Sequence, residues 1–481
     1  MGVPSGQKGG WAGPDRRYLH TLGCYNILPC KGSPFWSGPS PRPKDQSDRG
    51  VWGGRASPAF SVPFFGRRGA LYIDYKTRPR HPEAVACWKE TPMSSLYPTL
   101  APLPDPAEAP AAPSHWLLTP GPLTTTATVK RAMLHDWGSW DGDFRALTAS
   151  LRRRLLEIAG VGEGYSVVPL QGSGTFALEA ALLSLAQRNS RVLIIVNGAY
   201  GQRMVEISRR IGLGHAVLDL AETEAPSPDA LAQRLAAAPD LTHVAVAQVE
   251  TSTGLLNPVE ALAQVTAAAG RKLLVDAVSA FGALWLDPAR VPFETLIFST
   301  NKCLEGVPGM GFVLTRIEAL EEARACGPAP SLALDLADQW AYMERTGLFR
   351  FTPPTHVLAA FRQALDEYDA EGGRTARLAR YRRNHDALVA GMGWAGLRPL
   401  LPEALRSPII VTFLAPEDPA YHFTTFYEVM KRRGFIIYPG KMTEVESFRL
   451  GCIGAVDVPV MEDCARACEA AFKELGVALP D

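Results

Sequence analysis

No run of eighteen apolar residues occurs in this 481-residue chain, and the longest candidate, Leu273 to Leu286, is interrupted by Asp276. A membrane span is therefore not expected. Cysteine is scarce as well, with eight in all at positions 24, 30, 87, 303, 326, 452, 464 and 468. None has the paired spacing of a metal site, and Cys464 and Cys468, one helical turn apart, lack histidines nearby. No metal centre is expected, and the thiols read as reduced cysteines of a cytoplasmic protein. Net charge is missing too, with 49 basic and 49 acidic residues. That zero hides an asymmetry: residues 1–92 hold 14 of the basic and 6 of the acidic residues, so they are net +8 and the remainder net −8.

Residues 1–113 also lack any sustained repeat of 2 or 3.6 residues. They are crowded with Gly, Pro, Ser and Arg, as in Trp36-Ser37-Gly38-Pro39-Ser40-Pro41-Arg42-Pro43, and are expected to form a mostly disordered extension. The stretch has neither the apolar core and cleavage site of a secretory signal nor the amphipathic helix of a transit peptide. Its basic residues are dispersed, which disfavours a nucleic-acid-binding tail. A translation start at Met93 would leave most of it outside the working protein. A Pro/Ala linker, Ala101 to Pro113, leads into the body.

The body alternates strands and helices. Leu118-Thr119-Pro120-Gly121-Pro122-Leu123-Thr124 is an extended, turned opening that cannot be helical. Leu147, Leu151, Leu155 and Ile158 recur at helical steps. Apolar strands follow near Tyr165–Leu170, Arg191–Val196, His243–Val249, Lys272–Asp276 and just before Ser299, separated by helical patterns. Such alternation predicts an α/β fold with a mostly parallel sheet flanked by helices. Short strands and helices after His356 predict a smaller α+β domain, so the boundaries are expected at 113/114 and 355/356.

In sheets of this kind ligands collect beyond the carboxyl ends of the strands. The polar groups of the body fall at such ends: Gln171-Gly172-Ser173-Gly174-Thr175, Tyr200, Glu250-Thr251-Ser252-Thr253-Gly254, Asp276, and Asn301-Lys302. The glycine-rich turn at 172–174 opens a helix and offers an anion site, but no Gly-Lys-Ser/Thr follows, which argues against a nucleotide P-loop. Asp276 ends an apolar run and needs a cationic partner. An ion pair with Lys302 would explain both residues. So would pyridoxal phosphate, which needs a lysine amine for covalent attachment and a carboxylate for its ring nitrogen. A phosphate cradle, an aromatic ring, hydroxyls, one carboxylate and one lysine together favour the cofactor.

From Leu117 to the C-terminus the sequence resembles the 2-aminoethylphosphonate:pyruvate aminotransferases, a branch of the class V, fold-type I pyridoxal phosphate enzymes that also includes alanine:glyoxylate aminotransferases. The resemblance is carried by Leu-Thr-Pro-Gly-Pro-Leu-Thr (118–124), Gln-Gly-Ser-Gly-Thr-Phe-Ala-Leu-Glu-Ala (171–180), Glu-Thr-Ser-Thr-Gly-Leu-Leu-Asn-Pro (250–258), Asn-Lys-Cys-Leu-Glu-Gly-Val-Pro-Gly (301–309) and Phe-Arg-Leu-Gly (448–451). It implies that Lys302 binds the cofactor covalently and that Asp276 pairs with the ring nitrogen. Ser173, Gly174 and Thr175, with Asn301, would hold the phosphate. Tyr200 would stack on the ring, Thr251 would bond the phenolic oxygen, and Thr355 would reach the phosphate of a neighbouring subunit in a homodimer. Arg449 would grip the acidic end of the substrate, since a guanidinium can bind phosphonate or carboxylate through two parallel hydrogen bonds. Cys452 and Ala455 stand where Asn and Glu are expected.

The activity so implied is transfer of the amino group of 2-aminoethylphosphonate to pyruvate, giving phosphonoacetaldehyde and alanine. Another pair such as alanine and glyoxylate, or a fold that binds without catalysis, are the alternatives. Removing residues 1–92 is expected to leave activity intact, because every candidate site residue lies after Pro113. The check is turnover and cofactor content of protein that begins at Met93; insolubility or cofactor loss would make the head structural.

Overall fold

The structure, a computed structural model, describes residues 113–186, 190–441 and 445–479. The expected extension at 1–113 lies, apart from Pro113, outside the described residues. Seven strands form the main sheet in the order Tyr165–Gly172, Gly309–Arg316, Thr295–Ser299, Lys272–Asp276, His243–Ala247, Arg191–Val196, Gly214–Asp219. All pairings are parallel except those of Gly309–Arg316, which runs antiparallel to both neighbours. The sheet is therefore mostly parallel, as expected.

Both faces of the sheet are covered. Along Arg191–Val196, Leu193 and Ile195 enter one core while Val192, Ile194 and Val196 enter the other, the two-residue alternation that pleating imposes. The strands read as continuous apolar runs because neither face meets water. Helices Gly142–Ala159, Pro228–Ala237, Val259–Ala268 and Thr355–Glu371 contribute to the first core. Helices Gly174–Ser184, Ala199–Ile211, Ile317–Ala325 and Leu336–Thr346 contribute to the second. The helix Thr355–Glu371 spans the boundary expected at 355/356 and buries Leu358, Phe361 and Leu365 in the first core.

A third core belongs to the C-terminal region. There an antiparallel sheet in the order Ile410–Leu414, Ser447–Gly451, Tyr438–Pro439 packs with helices Gly373–Trp394, Phe423–Arg432 and Val458–Leu475. Stacked Phe426 and Phe472 rings, 4.5 Å between centroids, sit at its centre. The N-terminal segment Trp116–Leu117 pairs in parallel with Phe435–Ile436, and Leu118 is fully buried in this same core. Thr126 caps the helix Ala127–Arg131 by accepting from Val129 N, as threonine at this position commonly does.

A buried charge cluster joins the segment after Lys302 to the helix Gly373–Trp394. Arg377, 1% exposed, donates to Cys303 O (2.6 Å) and to Glu371 (2.6 Å), and lies 3.5 Å from Glu305. Arg380 bridges Glu305 and Glu371, each at 2.8 Å, and Tyr381 donates to Glu305. Glu305 holds a left-handed backbone (φ 54°) that a non-glycine residue adopts only under such constraint. Among the described residues no helix is long and apolar enough to cross a membrane, and no cluster of His, Cys, Asp or Glu could hold a metal. Arg377→Ala leaves Glu305 and Glu371 undercompensated and is expected to cost about 3–5 kcal/mol. Urea unfolding of the purified variant checks this, and a loss under about 1 kcal/mol would show that the cluster is dispensable.

Candidate active site

Lys302 follows the strand Thr295–Ser299 and is half-buried. Its amine donates to Pro120 O at 2.7 Å and to Gly121 O at 3.4 Å. The opening segment 118–124 thus closes over the lysine. Gly121 has φ 116°, and a Cβ there would land on Lys302 Nζ, so no side chain fits at this close approach. Burial pulls the Lys302 amine down to about 8, Arg203 and Arg449 act in the same sense, and Cys303 and Asp276 oppose them.

Asp276 ends the strand Lys272–Asp276 and is 7% exposed. Its carboxylate accepts a hydrogen bond from Val278 N at 3.0 Å, and Lys302 is not its partner. Burial, with Glu250 adding to it, pushes Asp276 up to about 6. The ion-pair explanation of these two residues is therefore not what the structure contains: they share one region and influence each other through space, without touching.

Ser173 precedes the eleven-residue helix Gly174–Ser184 in extended conformation, and its hydroxyl makes no capping bond. Gly174 packs against Val278, where a Cβ would stand 2.5 Å from a methyl carbon. Thr175 accepts a hydrogen bond from Arg203 Nη1 at 3.0 Å. Asn301 accepts from Ser299 at 3.0 Å. Thr251 is fully buried; its hydroxyl has no partner, while its carbonyl accepts from Arg449 Nη1 at 2.8 Å. Arg449, 5% exposed, also donates from Nε to Pro439 O at 2.9 Å, and burial lowers its pKa.

Tyr200 lies in the first turn of Ala199–Ile211, and its backbone N–H donates to Glu250 at 3.0 Å. The Arg203 guanidinium stands 4.8 Å from the centre of its ring and the Lys441 ammonium 5.2 Å. Thr355 opens the helix Thr355–Glu371. Cys452 is buried and accepts at its carbonyl from Asn384, and Ala455 donates its N–H to Thr124 O at 2.8 Å. Both unexpected residues thus make structural backbone contacts.

Sequence reasoning missed Arg203, Lys441 and the anchoring role of Glu250. Arg203 had a signal, since it lies three residues after Tyr200 on one helix and must share its face. Lys441 had none, because only the turn at Gly440, whose N–H donates to Ser447 O, brings it here. The groups present fit pyridoxal phosphate. An orphaned buried hydroxyl at Thr251 suits a phenolic oxygen, the carboxylate of Asp276 with one protein bond suits a ring N–H, and an unused hydroxyl beside free helix N–H groups suits a phosphate.

A family profile described as aminotransferase class V matches residues 126–430. A 2-aminoethylphosphonate–pyruvate transaminase of Paraburkholderia xenovorans (strain LB400) is 54% identical over 363 residues, spanning 75% of this chain and 93% of that protein. The transaminase of the same description from Pseudomonas aeruginosa (strain PAO1) is 51% identical over 362 residues, spanning 75% and 97%. Among solved structures, a pyridoxamine–pyruvate aminotransferase from Mesorhizobium loti superposes with a TM-score of 0.69 at 26% identity, over 76% of this chain and 93% of that one. An alanine–glyoxylate aminotransferase from Nostoc sp. gives a TM-score of 0.71 at 23% identity, over 78% and 97%, a likeness of fold. The chain belongs to the class V aminotransferases, a family of pyridoxal phosphate-dependent enzymes.

Proposed function

We propose that this protein transfers the amino group of 2-aminoethylphosphonate to pyruvate, yielding phosphonoacetaldehyde and alanine. The observation that carries the reading is the cationic surround of Lys302. Arg449, Arg203 and Lys441 gather there, and among the described residues none of them is ion-paired to a carboxylate. Such a surround suits an acidic substrate beside a phosphorylated cofactor. Relatives with this activity at 51–54% identity support it.

When bound, pyridoxal phosphate supplies a carbonyl that accepts the amine and a ring that draws electrons from the adjacent carbon. The Lys302 amine would hold the cofactor covalently, and with substrate bound Lys302 Nζ, then free, would move the proton from the carbon that bears the amino group. An amine near 8 is neutral often enough at physiological pH for both tasks. Asp276 would keep the ring nitrogen protonated, and that positive charge would hold the carboxylate ionised despite its burial. Ser173, Gly174, Thr175 and Asn301 hold the phosphate, Thr251 the phenolic oxygen, and Tyr200 covers the ring. Arg449 binds the phosphonate and, in the second half of the cycle, the carboxylate of pyruvate.

The same reading assigns a homodimer. Phe176, 52% exposed beside the phosphate cradle, and Phe351, 46% exposed, are apolar surface that a second copy would cover, with Thr355 reaching across. The free thiols among the described residues suit a cytoplasmic protein.

The test is to feed the holoenzyme each amine without acceptor and follow its visible absorbance. Loss with 2-aminoethylphosphonate supports the assignment; loss with alanine alone refutes it, and no loss with any amine points to a non-catalytic binder. Lys302→Arg is expected to abolish the change, since guanidinium stays protonated. In cofactor-free protein, 1-fluoro-2,4-dinitrobenzene, which the neutral amine attacks with loss of fluoride, should arylate Lys302 at a rate rising about tenfold per pH unit up to about 8 and then levelling. A rate that climbs past pH 10, mapped by peptide mass, would mean an ordinary lysine.

A further inference from the structure

Lys441 sits at the rim of the site on the same turn that supports Arg449. The strand Tyr438–Pro439 pairs with Ser447–Gly451 in a register that sets Tyr438 opposite Arg449. Pro439 O fixes Arg449 Nε, and Gly440 N–H closes the turn on Ser447 O at 2.7 Å. Lys441 follows just past the strand that is paired with the strand of Arg449, so the two cations reach the site from neighbouring strands. No Cβ fits at Gly440, where it would strike Ser447.

The chemistry of the substrate leaves work for such a cation. A carboxylate has two oxygens and one charge, and one guanidinium satisfies both. A phosphonate has three oxygens and up to two charges, so a single arginine leaves an oxygen and a charge unmatched. Arg449 is already held by two backbone carbonyls and cannot turn to follow the third oxygen. Arg203 is tied to Thr175, toward the cofactor side. Lys441 is the remaining cation. Its ammonium donates to no carboxylate among the described residues and lies over the ring of Tyr200. Burial together with repulsion from Arg203 and Arg449 lowers its pKa, which is the condition that an incoming dianion would relieve.

We propose that Lys441 is the second cation for the phosphonate group, taking the oxygen and charge that Arg449 leaves, and is the residue by which the enzyme favours aminophosphonates over amino acids. The proposal rests on the aminophosphonate reading above. A flexible ammonium suits this place, because it acts as a point charge and tolerates the exchange of phosphonate for pyruvate in each cycle.

The experiment compares holoenzyme and its Lys441→Met and Lys441→Arg variants in single-turnover half-reactions with 2-aminoethylphosphonate, with its carboxylate isostere 3-aminopropanoate, and with alanine. In Lys441→Met the ratio of kcat/KM for aminophosphonate to that for alanine should fall about tenfold to a hundredfold, the range for a lost charge-assisted hydrogen bond. The fall should lie in KM, and Lys441→Arg should restore most of it. Loss of rate on both substrates with the ratio preserved, or no change at all, overturns the proposal and leaves Lys441 to support Tyr200. If the unaltered enzyme does not turn over aminophosphonate, the functional reading fails on its own. Inhibition of the alanine half-reaction by methylphosphonate against acetate then decides the role of Lys441: a selectivity for methylphosphonate that Lys441→Met abolishes keeps it, and one that survives the substitution ends it.

Discussion

Lys302 gives its hydrogen bond to the Pro120 carbonyl, and Asp276 takes its own from Val278 N–H, so two opposite charges share a buried region without pairing. Keeping them apart is costly, because each is desolvated and neither neutralises the other. The amine is drawn down to about 8 and the carboxyl up to about 6, and each is thereby near the point where it can change state. A direct salt bridge would have cancelled both effects and left a structural ion pair. The separation is imposed from outside the pair. The extended segment 118–124 provides the carbonyls that engage the lysine, and the turn at Ala277-Val278 provides the N–H that engages the carboxylate.

The geometry on the far side of the lysine serves the same separation. Arg377 grips Cys303 O, one residue beyond Lys302, and Glu305 is clamped by Arg380 and Tyr381. The chain on both sides of Lys302 is held, one side by the helix Gly373–Trp394 and the other by the strand Thr295–Ser299. What is left free to move is the side chain, as a residue that must alternate between two bonds requires.

Much of this was legible in the sequence. The parallel strands showed as apolar runs, and their polar ends marked where Ser173, Thr175, Tyr200, Thr251, Asp276 and Lys302 would gather, because direction and pleat decide which end of a strand carries its loop. The strand Gly309–Arg316 does not stand among the strands expected from the sequence, because its glycines hide the apolar pattern. Gly311 has to be glycine because a Cβ there would come within 2.7 Å of Ser173 O and press on Ala177, so the very residue that weakens the strand signal is the one that lets the helix Gly174–Ser184 lie across it. Lys441 and the Arg377 cluster were illegible for another reason. Their positions follow from how the C-terminal region packs, and no local pattern encodes the neighbours of a turn more than a hundred residues away in sequence. An arginine that is 1% exposed looks in sequence like any solvated arginine of a basic helix.

The opening segment has a further consequence for how the protein is made. Leu117 pairs with Ile436, Leu118 O accepts from Gly451 N, and Thr124 O accepts from Ala455 N. Residues 117–124 therefore bond to residues made more than three hundred positions later in the chain. At the usual rate of synthesis the interval is on the order of tens of seconds. During that time all seven strands of the main sheet have been made, while the C-terminal strands that bond to residues 116–124 have not. The two carbonyls that engage the lysine therefore sit on a segment that owes part of its anchorage to strands made long after it.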